Sequence, residues 1–226
     1  MAKRAIVTDA QGAPQRTPGA SRKPTPLAGA QFVGAAAGEG QLPTSGVAEV
    51  AFAGRSNSGK SSAINALAGR HRLAFTSRTP GRTQQINFFA LRSGALVADL
   101  PGYGYAAVPR ALKQSWQDFL WQYVTQRDTL VGLVIMIDAR HGVRPPDLEL
   151  LDAFVSSGRP VLVLATKCDK LNTAERRKAV RAIETALRDA FPSHPADLAV
   201  IAFSATTREG VERANEIIAG WLPGAG

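Results

Sequence analysis

One stretch, Gly54-Arg55-Ser56-Asn57-Ser58-Gly59-Lys60-Ser61, constrains this chain more than any other. It fits G-x-x-x-x-G-K-[ST], the phosphate-binding loop. The flanks fit as well. Residues 47–53 are mostly apolar and read as a buried strand. Residues 62–68 carry Ile64 and Leu67 on one face and stop at Gly69, which reads as a helix. A glycine-rich turn between strand and helix aims backbone N–H groups at one point, and the helix dipole adds positive partial charge there. Polyphosphate is the natural occupant. Lys60 would reach its β- and γ-phosphates and the Ser61 hydroxyl would ligate Mg²⁺. Taken alone, the pattern also fits a glycine-rich turn with a surface lysine.

The surroundings favour the first reading. A chain of 226 residues with 45% hydrophobic content can bury a sizeable core, and alternating strand and helix patterns predict an α/β fold. The formal charge of +9 and pI near 10.3 favour anionic partners such as nucleic acid, although many surface arginines alone would give the same balance. Cys168 is the single cysteine, so no intramolecular disulfide forms and a reducing, cytoplasmic setting is expected. The longest apolar run, 130–137, is far too short for a membrane span, and no apolar core follows Lys3 and Arg4 to make a secretory signal.

Residues 1–26 read as a disordered basic tail and 27–226 as one folded unit. The tail is rich in Ala, Pro, Gly and basic residues and has little apolar mass to offset ordering. Gln31–Gly34 can add a short strand. A long polar loop, 70–85, separates the first helix from a strand at 86–91, a turn at 92–94 and a strand at 95–99; loops of that length are usually functional. Pro109 suits a helix start, with Leu112, Trp116, Phe119, Leu120 and Tyr123 inward. A buried strand at 130–137, a helix opening at Pro146 and closing at Gly158, and a strand at 161–165 follow. Asn172 with Glu175 makes a capping box for a helix burying Val180, Ile183, Leu187 and Phe191. Its other face carries Arg176, Arg177, Lys178, Arg181 and Arg188, solvated or facing RNA. After a strand at 198–203, Thr206 and Glu209 suggest a second capping box for the last helix, with Val211, Ile217, Ile218 and Trp221 inward.

Four further segments fall at strand ends, where ligands bind in open parallel sheets. Asp99-Leu100-Pro101-Gly102 offers a carboxylate for Mg²⁺, through water, and a glycine N–H for a γ-phosphate. In the long loop, a hydroxyl from Thr79 or Thr83 can complete the Mg²⁺ shell while the γ-phosphate is present, making the loop a switch. Thr166-Lys167-Cys168-Asp169 offers a carboxylate for guanine N1–H and its 2-amino group, which adenine cannot match. Lys167 can lay its stem over the base. Phe203-Ser204-Ala205 can bring a backbone N–H to guanine O6.

With these segments, Thr79-Pro80-Gly81-Arg82-Thr83-Gln84 and the run from Asp99 to Tyr105, the chain resembles the EngB (YihA/YsxC) ribosome-biogenesis GTP-binding proteins of bacteria, a TrmE-Era-EngA-like branch of the P-loop GTPases. Thr166 in place of the more usual asparagine is also a habit of that family. The resemblance spans about 30–222. It implies a Ras-like α/β fold, a mostly parallel central sheet with helices on both faces, and GTP and Mg²⁺ binding. It also implies a role in assembling the large ribosomal subunit, a link to cell division and septation, and a cytoplasmic monomer. It selects Ser61 and Thr83, with Asp99, as the Mg²⁺ set. It makes 54–61, Gly81, Arg82, Thr83, Gln84, Gln85, 99–102, 166–169 and 203–205 the nucleotide contacts. Lys60, Thr83 and Asn57 are the residues expected to act in catalysis, Asn57 by holding K⁺ as potassium-stimulated GTPases do.

One departure bears on rate. Where Ras-like enzymes carry a water-orienting glutamine after Asp-x-x-Gly, this chain has Tyr103, which predicts slow intrinsic hydrolysis. Two other readings stay open from sequence: a P-loop ATPase or kinase, and an RNA-binding module with an incidental nucleotide site.

Overall fold

The apolar runs around the phosphate loop form the centre of one seven-stranded sheet in the computed structural model, which describes residues 25–74, 85–103, 110–194 and 198–223, the backbone alone over 110–117. The strands are β1 Gln31–Ala36, β2 Glu49–Gly54, β3 Ile86–Ala90, β4 Leu96–Asp99, β5 Leu130–Asp138, β6 Val161–Thr166 and β7 Leu198–Ala202. Their spatial order is β1-β3-β4-β2-β5-β6-β7. β4, β2, β5, β6 and β7 run parallel, β3 is antiparallel to β4, and β1 pairs antiparallel with β3. The short strand expected at 31–34 is therefore real and forms an edge.

β5 shows why a continuous apolar run becomes a central strand. Flanked by β2 and β6 and covered on both faces, it exposes almost nothing along its length. Alternate residues point to opposite faces. Leu133, Ile135 and Ile137 join a cluster with Phe119, Tyr123, Leu151, Phe154, Ile183 and Leu187. Val134 and Met136 join another with Ile64, Leu67, Ala214 and Ile218. The helices thus divide between the faces. α2 (Arg110–Gln126), α3 (Pro145–Val155) and α4 (Thr173–Ala190) cover one face, and α1 (Lys60–Ala68) and α5 (Val211–Trp221) cover the other.

Local signals set several helix ends. Asn172 accepts from the N–H groups of Ala174 and Glu175 while Glu175 accepts from Asn172 N–H, so the expected box at α4 forms. The box expected at Thr206 and Glu209 does not form. α5 starts later, at Val211, with Gly210 as N-cap at φ 74° and no side-chain cap. Glu209 instead pairs with Arg176 at 2.6 Å, and its carbonyl accepts from Ser204 N–H. That pairing also corrects the basic face of α4: Arg176 is tied down and half-buried, while Arg177, Lys178, Arg181 and Arg188 are exposed. Pro109 and the 1–24 part of the tail lie outside the described residues.

Candidate functional site

Parallel strands put their carboxyl ends on one rim, and the register gathers the predicted segments there. Asp99 lies beside Phe52, Gly54 beside Met136, Asp138 beside Thr166, and Ala165 beside Ala202. The phosphate loop thus leaves β2 between the ends of β4 and β5, with the 166–169 and 203–205 segments following one strand at a time.

Within the loop, Gly59 caps α1 at φ 96°, and Asn57 sits at φ 63°, a left-handed backbone that asparagine tolerates better than most residues. Gly54 has no room for a side chain: a Cβ would stand 2.5 Å from Ser58 Oγ and 3.0 Å from the Met136 carbonyl oxygen. Ser61 and Asp99 are buried, and Lys60 Nζ donates to Asp99 Oδ1. Lys60, expected at the phosphates, and Asp99, expected at Mg²⁺, therefore meet, and Ser61 is the next residue of α1.

The base segment is clasped to this loop. Thr166 Oγ1 donates to the Ser58 carbonyl oxygen at 2.5 Å and lies 3.2 Å from that of Ile137. The threonine standing where asparagine is usual thus still braces the phosphate loop. Lys167 Nζ donates to the Asn57 carbonyl oxygen. Asp169 Oδ1 accepts from Ser204 Oγ at 2.8 Å, and that hydrogen bond holds its carboxyl below the usual carboxylate range, so it is ionised at neutral pH. Ser204 is itself placed by Thr207 N–H, 3.1 Å from its Oγ. Phe203 and Cys168 are buried, and burial pushes the Cys168 thiol up, a structural rather than reactive setting.

Some predicted contacts are already engaged within the protein. Arg55 has Nε 3.2 Å from Asp147 Oδ2 and an Nη2 hydrogen bond of 3.4 Å to the Gly142 carbonyl oxygen. Leu100 is wholly buried, and its N–H is spent on the Phe52 carbonyl at 2.9 Å. Gly102 lies against the phosphate loop, where a Cβ would meet Ser56 Oγ at 2.9 Å. Tyr103, expected to stand where Ras-like enzymes carry glutamine, follows. Its phenol donates to Asp147 Oδ1 at 2.8 Å, and its carbonyl accepts from Ser56 N–H at 3.2 Å. Burial and the nearby Asp147 push that phenol well above its ordinary range, so it stays protonated. Gln85 directly precedes β3, whereas Thr79, Gly81, Arg82, Thr83 and Gln84 lie outside the described residues.

Sequence reading missed two buried carboxylates at this rim. Asp138 and Asp147 sit in no phosphate or base motif and bond to partners across long chain separations. The only local signal was an aspartate ending an otherwise apolar strand at 138, the same signal that singled out Asp99. Among the described residues no group of three or more His, Cys, Asp and Glu stands together, and no helix is long and apolar enough to cross a membrane.

Comparison with known proteins agrees with this geometry. Residues 49–167 match the family described as 50S ribosome-binding GTPase, and 117–224 match the elongation factor Tu GTP-binding domain. The probable GTP-binding protein EngB of Aromatoleum aromaticum is 48% identical over 193 residues, covering 85% of this chain and 88% of that protein. The protein of the same description from Neisseria meningitidis serogroup B is 46% identical over 177 residues, covering 78% and 84%. Among solved structures, a probable GTP-binding protein EngB superposes with a TM-score of 0.60 at 24% identity, over 76% of this chain and 97% of that one. Era in complex with MgGDPNP and a segment of 16S ribosomal RNA gives 0.58 at 26% identity, over 78% and 57%.

Proposed function

The chain belongs to the EngB family of GTP-binding proteins, and from that premise we propose that it is a slow GTPase whose nucleotide state switches its part in assembling the large ribosomal subunit. The observation that carries this reading is the clasp. Thr166 and Lys167 bond to the Ser58 and Asn57 carbonyls, and Asp169 is held ionised by Ser204. A purine read by Asp169 then has its phosphates over the 54–61 loop. The carboxylate accepts from guanine N1–H and the 2-amino group, the Lys167 stem packs on the ring, and a backbone N–H of 203–205 meets O6.

The donor set suits Mg²⁺. Ser61 and Asp99 offer a hydroxyl and a carboxylate, hard oxygen ligands too few to hold the ion without substrate phosphates, which is how Mg²⁺ is usually bound. Ser61 would ligate it directly, Asp99 through water, and Thr83 would complete the set. Bound there, the ion would supply positive charge against that developing on the phosphates. Lys60 and the loop N–H groups stabilise the same charge, and Gly102 N–H binds the γ-phosphate. Tyr103, in the position where Ras-like enzymes carry the water-orienting glutamine, cannot do the same, because its phenol is bound to Asp147. Slow turnover without a partner follows. Asn57 would hold K⁺ at the phosphate loop, and GTP turnover is then expected to be faster in KCl than in NaCl; equal rates in the two salts, with and without ribosomes, would remove the potassium role.

The nucleotide state sets whether the protein binds pre-ribosomal RNA or protein in the cytoplasm. The charge of +9 and the exposed Arg177, Lys178, Arg181 and Arg188 support an RNA component, whose affinity then falls steeply with salt. Sedimentation of cell lysate with GDP, GTP and a non-hydrolysable analogue tests the switch. Association with large-subunit precursors that depends on the nucleotide is expected; a distribution indifferent to all three refutes it.

A further inference from the structure

β5 ends on Asp138, whose side chain is 5% exposed yet carries two cations. Arg140 approaches it with its backbone N–H at 3.1 Å, Nε at 3.0 Å and Nη2 at 2.8 Å. Lys167 Nζ stands 3.0 Å from Asp138 Oδ2 and also donates to the Asn57 carbonyl oxygen. The Lys167 ammonium is therefore fixed by a different strand and by the phosphate loop, not by its own segment.

The backbone on both sides of this contact is unusual. Lys167 lies at φ 60° and ψ 29°, and Asn57 at φ 63°, both in the left-handed region. A lysine persists there only where its surroundings over-determine it, and such positions gather at functional sites. The stem passes within contact range of the phosphate loop: a Cβ on Gly59 would lie 3.9 Å from Lys167 Cε and 3.7 Å from Thr166 Cβ, ordinary van der Waals distances. The stem thus runs from the base segment to the phosphate loop as a fixed strut. Lysine side chains otherwise lose much rotamer freedom when a ligand packs on them.

We propose that Asp138 is a positioning residue for guanine-nucleotide binding, clamping the Lys167 ammonium against Asn57 so that the lysine stem forms a preformed wall of the base pocket. Burial alone would disfavour the carboxylate, but hydrogen bonds from Arg140 and Lys167 outweigh it and keep it charged. Without Asp138 the ammonium keeps one neutral acceptor, and ordering the stem falls on the nucleotide. The inference rests on reading 166–169 as the base segment.

The test is a double-mutant cycle read by calorimetric titration with GDP and ADP. Asp138→Asn keeps the size of the side chain and removes its charge. It is expected to weaken GDP binding roughly tenfold, the order of effect one positioning contact carries, with ADP binding little changed. Lys167→Met is expected to lose at least as much, and the double variant no more than Lys167→Met alone, because Asp138 acts through that lysine. A merely structural carboxylate would instead give losses that add, and additive losses overturn the proposal. So does an Asp138→Asn protein that binds GDP as the unsubstituted one does. If unsubstituted protein fails to prefer GDP to ADP, the base-segment reading fails and takes this inference with it. A second measurement needs no variant. The Lys167 ammonium nitrogen in the nucleotide-free protein is expected to show a restrained NMR signal, and a freely rotating, fast-exchanging ammonium overturns the clamp even if Asp138→Asn does not fold.

Discussion

Replacing Asp169 by asparagine tests the reading of the base pocket most directly. The carboxylate is 12% exposed, with Ser204 Oγ 2.8 Å from Oδ1 and Lys170 Nζ 3.4 Å from Oδ2. An asparagine keeps the Ser204 hydrogen bond through its carbonyl, which turns its NH₂ toward the purine edge. Two guanine donors then meet a donor. Hydrogen bonds to a charged group contribute about 1.5–3 kcal/mol each, and water recovers part of the loss. The expected cost is about 2–4 kcal/mol, or roughly 30- to 700-fold in GDP affinity at 1.4 kcal/mol per tenfold. Xanthine carries a carbonyl where guanine has its 2-amino group, so the same variant is expected to gain affinity for XDP. Titration calorimetry with GDP, XDP and ADP reads all three. GDP affinity unchanged in the variant, or an equal loss for GDP and ADP, would refute the claim that this carboxylate reads the base.

Other perturbations follow from the same geometry. Tyr103→Phe removes the phenol that donates to buried Asp147 and is expected to lower unfolding stability by about 1–2 kcal/mol in urea denaturation, while partner-free GTP turnover stays near its original rate because the phenol is already committed to Asp147. Thr166→Val removes the brace on the Ser58 carbonyl and is expected to weaken GDP binding by about 1–2 kcal/mol, measured by displacement of a fluorescent guanine nucleotide. Asp138 has its carboxyl held below the usual carboxylate range, so its stabilising share is complete above about pH 4, the ordinary aspartate value, and is lost as the pH falls toward the lowered folded value. The stability gap between unsubstituted protein and Asp138→Asn, measured by denaturation from pH 6 to 3, is therefore expected to narrow toward acid. A gap that widens would contradict the assignment.

What local chemistry dictates was readable in the chain. The phosphate loop is eight consecutive residues whose glycines and lysine act within one turn, so the pattern carries the structure with it. The run at 130–137 is apolar without alternation because both faces of β5 are covered. The Asn172 cap needs only its own next three residues. The Thr206 and Glu209 pattern shows where such reasoning stops. It has the spacing of a cap, but Arg176, thirty-three positions away, takes Glu209, and Gly210 opens the helix instead.

Residue order thus carries the phosphate loop, the alternation of strands and helices, and which segments stand at strand ends. The strand order that brings those ends onto one rim, the turning of Arg55 and Tyr103 onto Asp147, and the grip of Asp138 on Lys167 arise from packing. The physical reason is range. Periodicity and turn chemistry act over a few residues, whereas a buried charge is satisfied by whichever partner the packed strands carry to it.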